Sequence, residues 1–214
     1  MPADDFSMYT AELPSLEEGS TDWNYVMRRE MQEIIPGLYL GPYAAAMKSK
    51  KAVLVQHGIT HIVCIRQKIE ANFIKPNFPN DFQYLVMDIA DVSTENIIPH
   101  LPLVKDFIDG CLNCQGRVLV HGNAGISRSA ALVIGYIMEK YGLTYKNAFN
   151  YVQQKRFCIT PNEGFMQQLI EFEAIYMARK HMQIMEQSDN TGTHNKRKYS
   201  FDTEECIHDP TQLT

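Results

Sequence analysis

Apolar residues recur along this chain with two different periods, and the alternation between the two outlines a fold. Four short runs have strand length and are enriched in β-branched or aromatic residues: Glu33 to Leu40, Thr60 to Ile65, Phe82 to Ile89 and Arg117 to His121. Elsewhere apolar positions return every three or four residues, the spacing of one helix face. Ile98, Leu101, Val104, Ile108 and Cys111 form one such stripe, and Phe165, Leu169, Phe172 and Tyr176 form another. Ala148 and Val152 share a face behind Thr144, whose hydroxyl suits a helix N-cap. Ser129 to Tyr141 is also predicted as a helix, entered almost directly from the buried-strand run Val118-Leu119-Val120. Such stripes are core faces, not ligand boxes. Strands alternating with helices predict an α/β sandwich, a mixed central sheet with helices on both sides.

Both ends break the pattern. Residues 1–22 are acidic and lack periodic apolar positions, and the end of the chain is rich in Ser, Thr, Asn and charge, as flexible segments are. The expected organisation is a flexible acidic segment over 1–22, one domain over 23–183 that opens on Trp23 to Arg29, and a disordered tail over 184–214. Lys196-Arg197-Lys198 in that tail is read as solvated charge before it is read as an import or anion-binding signal. The 214 residues, 45% hydrophobic and 21% charged, suit one soluble core. A net charge of −5 argues against nucleic acid as a partner. No run approaches 18 apolar residues, and Met1 to Asp5 lacks the regions of a signal peptide, so no membrane association and a cytoplasmic and nuclear location are expected. Five cysteines make an odd set without a disulfide framework, and Cys111-Leu112-Asn113-Cys114 has no second pair. No metal and no cofactor are therefore expected, and the chain is expected to be a monomer.

The candidate chemistry lies in His121-Gly122-Asn123-Ala124-Gly125-Ile126-Ser127-Arg128-Ser129, between a predicted strand and a predicted helix. By itself a glycine-spaced turn is a loop and nothing more. Between a strand and a helix N-terminus, however, such a turn presents successive backbone N–H groups, and the helix dipole adds roughly half a positive charge. Arg128 adds a planar fork of donors suited to two oxygens of one phosphate. Gly122, Asn123, Ala124, Gly125, Ile126, Ser127 and Arg128 are the candidate phosphate-binding residues, Ser127 through its backbone N–H. His121 and Ser129 are expected to support the loop. Asp91, just after the strand that ends near Ile89, is a second candidate, as a catalytic carboxylate or a turn cap; Asp88 faces either a partner or the core.

The nine-residue segment resembles the signature H-C-x-x-G-x-x-R-S/T of the cysteine-dependent protein phosphatases, with Gly122 where the nucleophilic cysteine stands. Three further stretches, in the same order, resemble the dual-specificity phosphatase family: Pro36-Gly37-Leu38-Tyr39-Leu40-Gly41, Gly58-Ile59-Thr60-His61-Ile62-Val63-Cys64-Ile65, and Pro161-Asn162-Glu163-Gly164-Phe165-Met166-Gln167-Gln168-Leu169. Ala130 to Met138 resembles its helix after the signature, and the likeness covers roughly residues 33–175. It implies a protein tyrosine phosphatase-like sandwich. In the family the cysteine thiolate attacks phosphorus, an Asp at the place of Asp91 protonates the leaving oxygen, the His orders the loop, and the hydroxyl at the place of Ser129 steadies the thiolate.

Gly122 cannot supply that attack. Hydrolysis of a phosphate monoester asks an enzyme for up to about 10²¹-fold acceleration, of which positioning covers roughly 7 to 11 kcal/mol. The rest requires covalent chemistry that glycine lacks. Binding has the opposite sign, because a thiolate about 4 Å from an incoming anion repels it by up to about 4 kcal/mol per charge pair at an effective dielectric near 20. The resemblance is thus to a pseudophosphatase, with no catalytic residue and Asp91 a vestigial general acid, that binds phosphorylated Ser, Thr or Tyr proteins by competition or anchoring. Two other readings are an interaction scaffold using a surface outside the pocket and a slow phosphatase in which Asp91 activates water. The resemblance also implies MAP kinases and an F-box ubiquitin-ligase subunit as partners.

Overall fold

The computed structural model describes residues 12–15 and 23–191, with side chains of the last helix through residue 182. Most of both expected flexible ends, and Lys196-Arg197-Lys198, lie outside the described residues. Five strands form one mixed sheet: β1 (Gln32–Ile35), β2 (Leu38–Pro42), β3 (His61–Arg66), β4 (Gln83–Asp88) and β5 (Val118–Gly122), in the order β1-β2-β5-β3-β4. Only β1 and β2 are antiparallel; the other pairs are parallel. The single strand expected over 33–40 is a hairpin. Its turn is Pro36-Gly37, with Gly37 at φ +83°, a conformation that only glycine adopts freely. Pro36-Gly37 is the sequence signal for that turn, between the apolar pairs Ile34-Ile35 and Leu38-Tyr39.

Strand alternation divides the interior into two cores. Leu38 and Leu40, Val63 and Ile65, and Val118 and Val120 face one side, where they meet α2 (Leu101–Asn113), α3 (Arg128–Tyr141), α4 (Tyr145–Lys155) and the first part of α5 (Glu163–Thr191). Tyr39, Ile62 and Leu119, the intervening residues, face the other. There they pack with Ala46, Ile59, Phe78, Phe82 and Leu54 of the short helix α1 (Lys51–Gln56), an element that the periodicity does not predict. At the outer strand, Asp88 faces Arg66 across the β3–β4 register, with Nε and Oδ1 3.1 Å apart.

The helices follow the predicted faces. Leu101, Val104, Ile108 and Cys111 are the buried residues of α2. Thr144 caps α4 by accepting from Asn147 N at 3.3 Å. Helix α3 is central, with nearly every residue buried, so its sequence shows apolar residues all round instead of a stripe. It stops at Gly142, which has a left-handed φ of +65°. Helix α5 runs past the boundary expected near 183. The chain divides into two compact units, Met1–Ala178 and Arg179–Thr214, and of the second the described part is the end of α5. Leu13, within the segment assigned as flexible, packs half-buried on the larger core.

Phe165 is fully buried in that core, whereas Ile170, five residues on along α5, is 49% exposed. Urea denaturation should therefore show Phe165→Ala costing about 3–5 kcal/mol and Ile170→Ala about 0.5 kcal/mol or less.

Candidate functional site

Strand β5 ends and helix α3 begins around a cavity of about 270 Å³ lined by Asp91 and by every residue from Gly122 to Ser129. That admits a tetrahedral anion together with part of the group that carries it. The loop's carbonyls are tied outward one after another. Asn123 O accepts from Tyr43 N at 3.0 Å, Ala124 O from Arg156 Nη2 at 3.1 Å, Gly125 O from Arg156 Nε at 2.9 Å and Ile126 O from Thr160 N at 2.9 Å. A trans peptide points its N–H opposite to its C=O. Anchoring these carbonyls in the scaffold therefore turns the N–H groups of residues 124–127 away from it. The backbone N–H groups of Asn123, Ala124, Gly125, Ile126 and Ser127 have no acceptor among the described residues. Unpaired donors turned to one side in this way form an anion cradle.

Gly125 permits this path. It sits at φ +68°, and a Cβ there would lie 2.4 Å from Gly41 O. Gly122 differs: its φ is not left-handed, and a Cβ would meet Ser129 Oγ at 3.4 Å and Ile65 O at 3.7 Å, ordinary contacts. A side chain at residue 122 has space, so backbone geometry does not impose glycine there.

Arg128 is 6% exposed and gripped from behind. Its Nη1 donates to Glu70 Oε2 at 2.6 Å and to Ile89 O at 3.2 Å, and its Nη2 donates to Glu70 Oε1 at 3.2 Å. Of five guanidinium hydrogens these use three, which leaves the Nε–Nη2 edge as a fork for two anionic oxygens. Glu70 also accepts from Gln67 N at 2.7 Å and from the Asn123 side chain at 3.3 Å. Burial raises the Glu70 pKa, but the Arg128 hydrogen bonds and the other donors outweigh it and hold the carboxyl below its usual value.

Asp91 binds the loop more than it faces the cavity. Oδ1 accepts from Ser127 Oγ at 2.6 Å and from Asn162 Nδ2 at 2.9 Å, and Oδ2 lies 3.6 Å from Arg128 Nε. Ser127 Oγ in turn accepts from Asn162 N at 3.1 Å, so the hydroxyl is a link between the loop and the start of α5. His121 is buried, its Nδ1 3.3 Å from Gly122 O and its ring 5.8 Å from that of Tyr43. Ser129 is 1% exposed and lines the cavity. The structure thus brings every candidate residue to one place. Sequence reasoning missed Glu70, Asn162, Tyr43 and Arg156, each a single residue far along the chain from the loop it serves. Cys111 and Cys114 are free thiols away from this site, and no cluster of metal-ligating side chains occurs among the described residues.

Burial pushes the His121 imidazole down to about 4. The unfolded chain takes up this proton below about pH 6.5, and the folded one only near pH 4. Stability should therefore be complete above about pH 6.5 and fall by about 3 kcal/mol between there and about pH 4. The Glu70 shift is also downward, so its contribution too is lost as pH falls, but only below the usual carboxylate range. Denaturation midpoints measured from pH 8 to pH 5 should decline in the parent and stay much flatter in His121→Gln; equal slopes would contradict the assignment.

Residues 38–175 match the family described as dual specificity phosphatase, catalytic domain. The human serine/threonine/tyrosine-interacting protein is 62% identical over 182 residues, 85% of this chain and 82% of that protein. Dual specificity protein phosphatase 1 of Arabidopsis thaliana is 38% identical over 151 residues, 71% of this chain and 70% of its own length. Among solved structures, that of the human tyrosine phosphatase-like serine/threonine/tyrosine-interacting protein aligns with a TM-score of 0.69 at 68% identity, covering 70% of this chain and 99% of that one. DUSP15 aligns with a TM-score of 0.59 at 34% identity, covering 68% and 88%. With the mixed sheet, the strand-loop-helix cradle and four ordered motifs, these likenesses place the chain in the dual specificity phosphatase family.

Proposed function

We propose that this chain is a catalytically inactive member of its family that captures phosphorylated Ser, Thr or Tyr side chains of other proteins and regulates signalling by competition or anchoring. One observation carries the reading: five backbone N–H groups without acceptors among the described residues, and the Nε–Nη2 edge of Arg128, which donates one of its three hydrogens to Glu70 and has Asp91 Oδ2 3.6 Å from Nε, surround a cavity in which residue 122 offers no nucleophile. The loop keeps what binds phosphate and lacks what breaks its ester. The name of the 62% identical human relative, an interacting protein, agrees with a binding role.

The slow-phosphatase alternative asks Asp91 to accept a proton from water. Its Oδ1 already accepts two hydrogen bonds and its Oδ2 faces a cation, so both carboxylate oxygens are engaged by the protein where they stand. MAP kinases, or an F-box subunit of a ubiquitin ligase, in the cytoplasm and nucleus, are the partners the family resemblance brings to this proposal. An interaction scaffold that ignores the cavity is the reading against which it is tested.

Titration of the chain with phosphotyrosine, phosphoserine and phosphothreonine peptides should show saturable binding to at least one. Arg128→Ala should weaken it about 100-fold or more, as expected for the loss of charge-assisted hydrogen bonds. Because Arg128→Ala leaves Glu70 buried without its cation, Arg128→Lys serves beside it: it keeps the charge, loses the fork, and should weaken binding in a protein that still melts cooperatively. No saturable binding, or affinity unchanged by both substitutions, would leave the scaffold reading.

A further inference from the structure

Three side-chain polar atoms are buried without a hydrogen-bond partner among the described residues: Trp23 Nε1, Tyr84 Oη and Ser129 Oγ. Only the last lines the cavity. A serine within a helix either faces solvent or bonds back to the carbonyl four residues earlier, and a buried one has only the second choice on its own chain. Here that carbonyl is Gly125 O, which Arg156 holds at 2.9 Å, and Ser129 Oγ makes no such bond. Ser129 is the second residue of α3, and its oxygen lies 3.4 Å from where a Cβ on Gly122 would stand. The hydroxyl therefore points at the space that the side chain of residue 122 would fill, at the floor of the ring of unpaired N–H groups.

We propose that Ser129 Oγ is a direct ligand of the captured phosphate. Glycine at position 122 lets one phosphate oxygen descend beside its Cα, and the Ser129 hydroxyl donates its proton to that oxygen. The inference rests on the phosphate-binding reading above and deepens it. A hydroxyl that steadies a thiolate in a cysteine-bearing loop becomes part of the binding site in this one. The exchange at residue 122 then does more than remove a nucleophile and a like charge, since it opens an additional donor to the ligand. The ligand class follows as well: a tetrahedral oxyanion that can place one oxygen below the plane of the loop N–H groups and accept there, as a phosphate monoester can and a planar carboxylate cannot while still meeting the ring.

The probe is phenyl phosphate, titrated into the full chain by calorimetry, because it reaches the cavity without contacts elsewhere. Ser129→Ala should weaken binding about tenfold or more, the scale of one hydrogen bond to a charged group. It should leave the melting temperature unchanged or raised, because it removes a buried hydroxyl without a partner. Gly122→Ala, whose Cβ meets only ordinary contacts, should fold as the parent does, block the descending oxygen and weaken binding by a similar factor. In the double variant the Ser129→Ala effect should vanish. Ser129→Ala affinity equal to the parent's, or the same loss in both backgrounds, would overturn the proposal, as would a clear fall in melting temperature, which marks a structural hydroxyl. Arg128→Lys separates the two claims. If it weakens binding while Ser129→Ala does not, only this inference fails; if the parent does not bind phenyl phosphate at all, the phosphate-binding reading fails with it.

Discussion

The candidate site depends on one buried cation. Arg156 is fully buried, and its hydrogen bonds go to carbonyls and an amide, with no carboxylate among them. Two acceptors, Ala124 O and Gly125 O, belong to the loop; Arg28 O and Glu30 O belong to the segment leading into β1, and the Gln32 side chain to its first residue. Hydrogen bonds to a charged group are worth about 1.5–3 kcal/mol each, and burying a guanidinium costs several, so the arrangement holds only while every donor is met. The guanidinium thereby fixes two peptide planes of the loop and, with Tyr43 N and Thr160 N on their neighbours, decides which way the N–H groups face. The cradle is a consequence of where its carbonyls are anchored.

Around that anchor the charges are arranged in sequence. Arg128 supplies the positive charge inside the cavity, Glu70 fixes its orientation from behind, and Asp91 ties Ser127 to the start of α5 beside it. A buried Arg–carboxylate pair is weak as a source of stability but strong as a device for holding a fork in one plane. Gly164 completes the frame. A Cβ there would lie 2.0 Å from Ser93 O, so the first turn of α5 and the chain just after Asp91 are in backbone contact. The cavity is thus lined by two stretches, Asp91 and the loop from Gly122 to Ser129, and braced by two more, around Glu70 and the start of α5, that meet only in the folded chain.

That separation explains what the sequence shows and what it hides. The loop from His121 to Ser129 is legible because its residues are contiguous and each has a local reason: a strand before, a helix after, a glycine at the left-handed position. The helices α2, α4 and α5 are legible because one face is buried. Glu70 and Arg156 are not, because each is a lone charged residue, 58 and 31 positions from its partner in the loop, and a lone charge in a sequence looks like solvated surface. The hairpin of β1 and β2 carries a turn signal in Pro36-Gly37, which the assignment of one strand to 33–40 overrides. Helix α1 is short and buries only Leu54, too little to produce a period.

A phosphatase fold without its thiolate is a case of binding separated from turnover, since the interactions that grip phosphate remain while the step that lowers the barrier is missing. The central claim is that the pocket is complete apart from that one group, and phosphate release from a small aryl phosphate tests it most directly. The parent chain should release none above background, Gly122→Cys should turn over, and Gly122→Cys with Arg128→Lys should lose most of that gain. A folded Gly122→Cys chain that remains inert would contradict the claim, as would a parent chain that already hydrolyses the ester at a comparable rate.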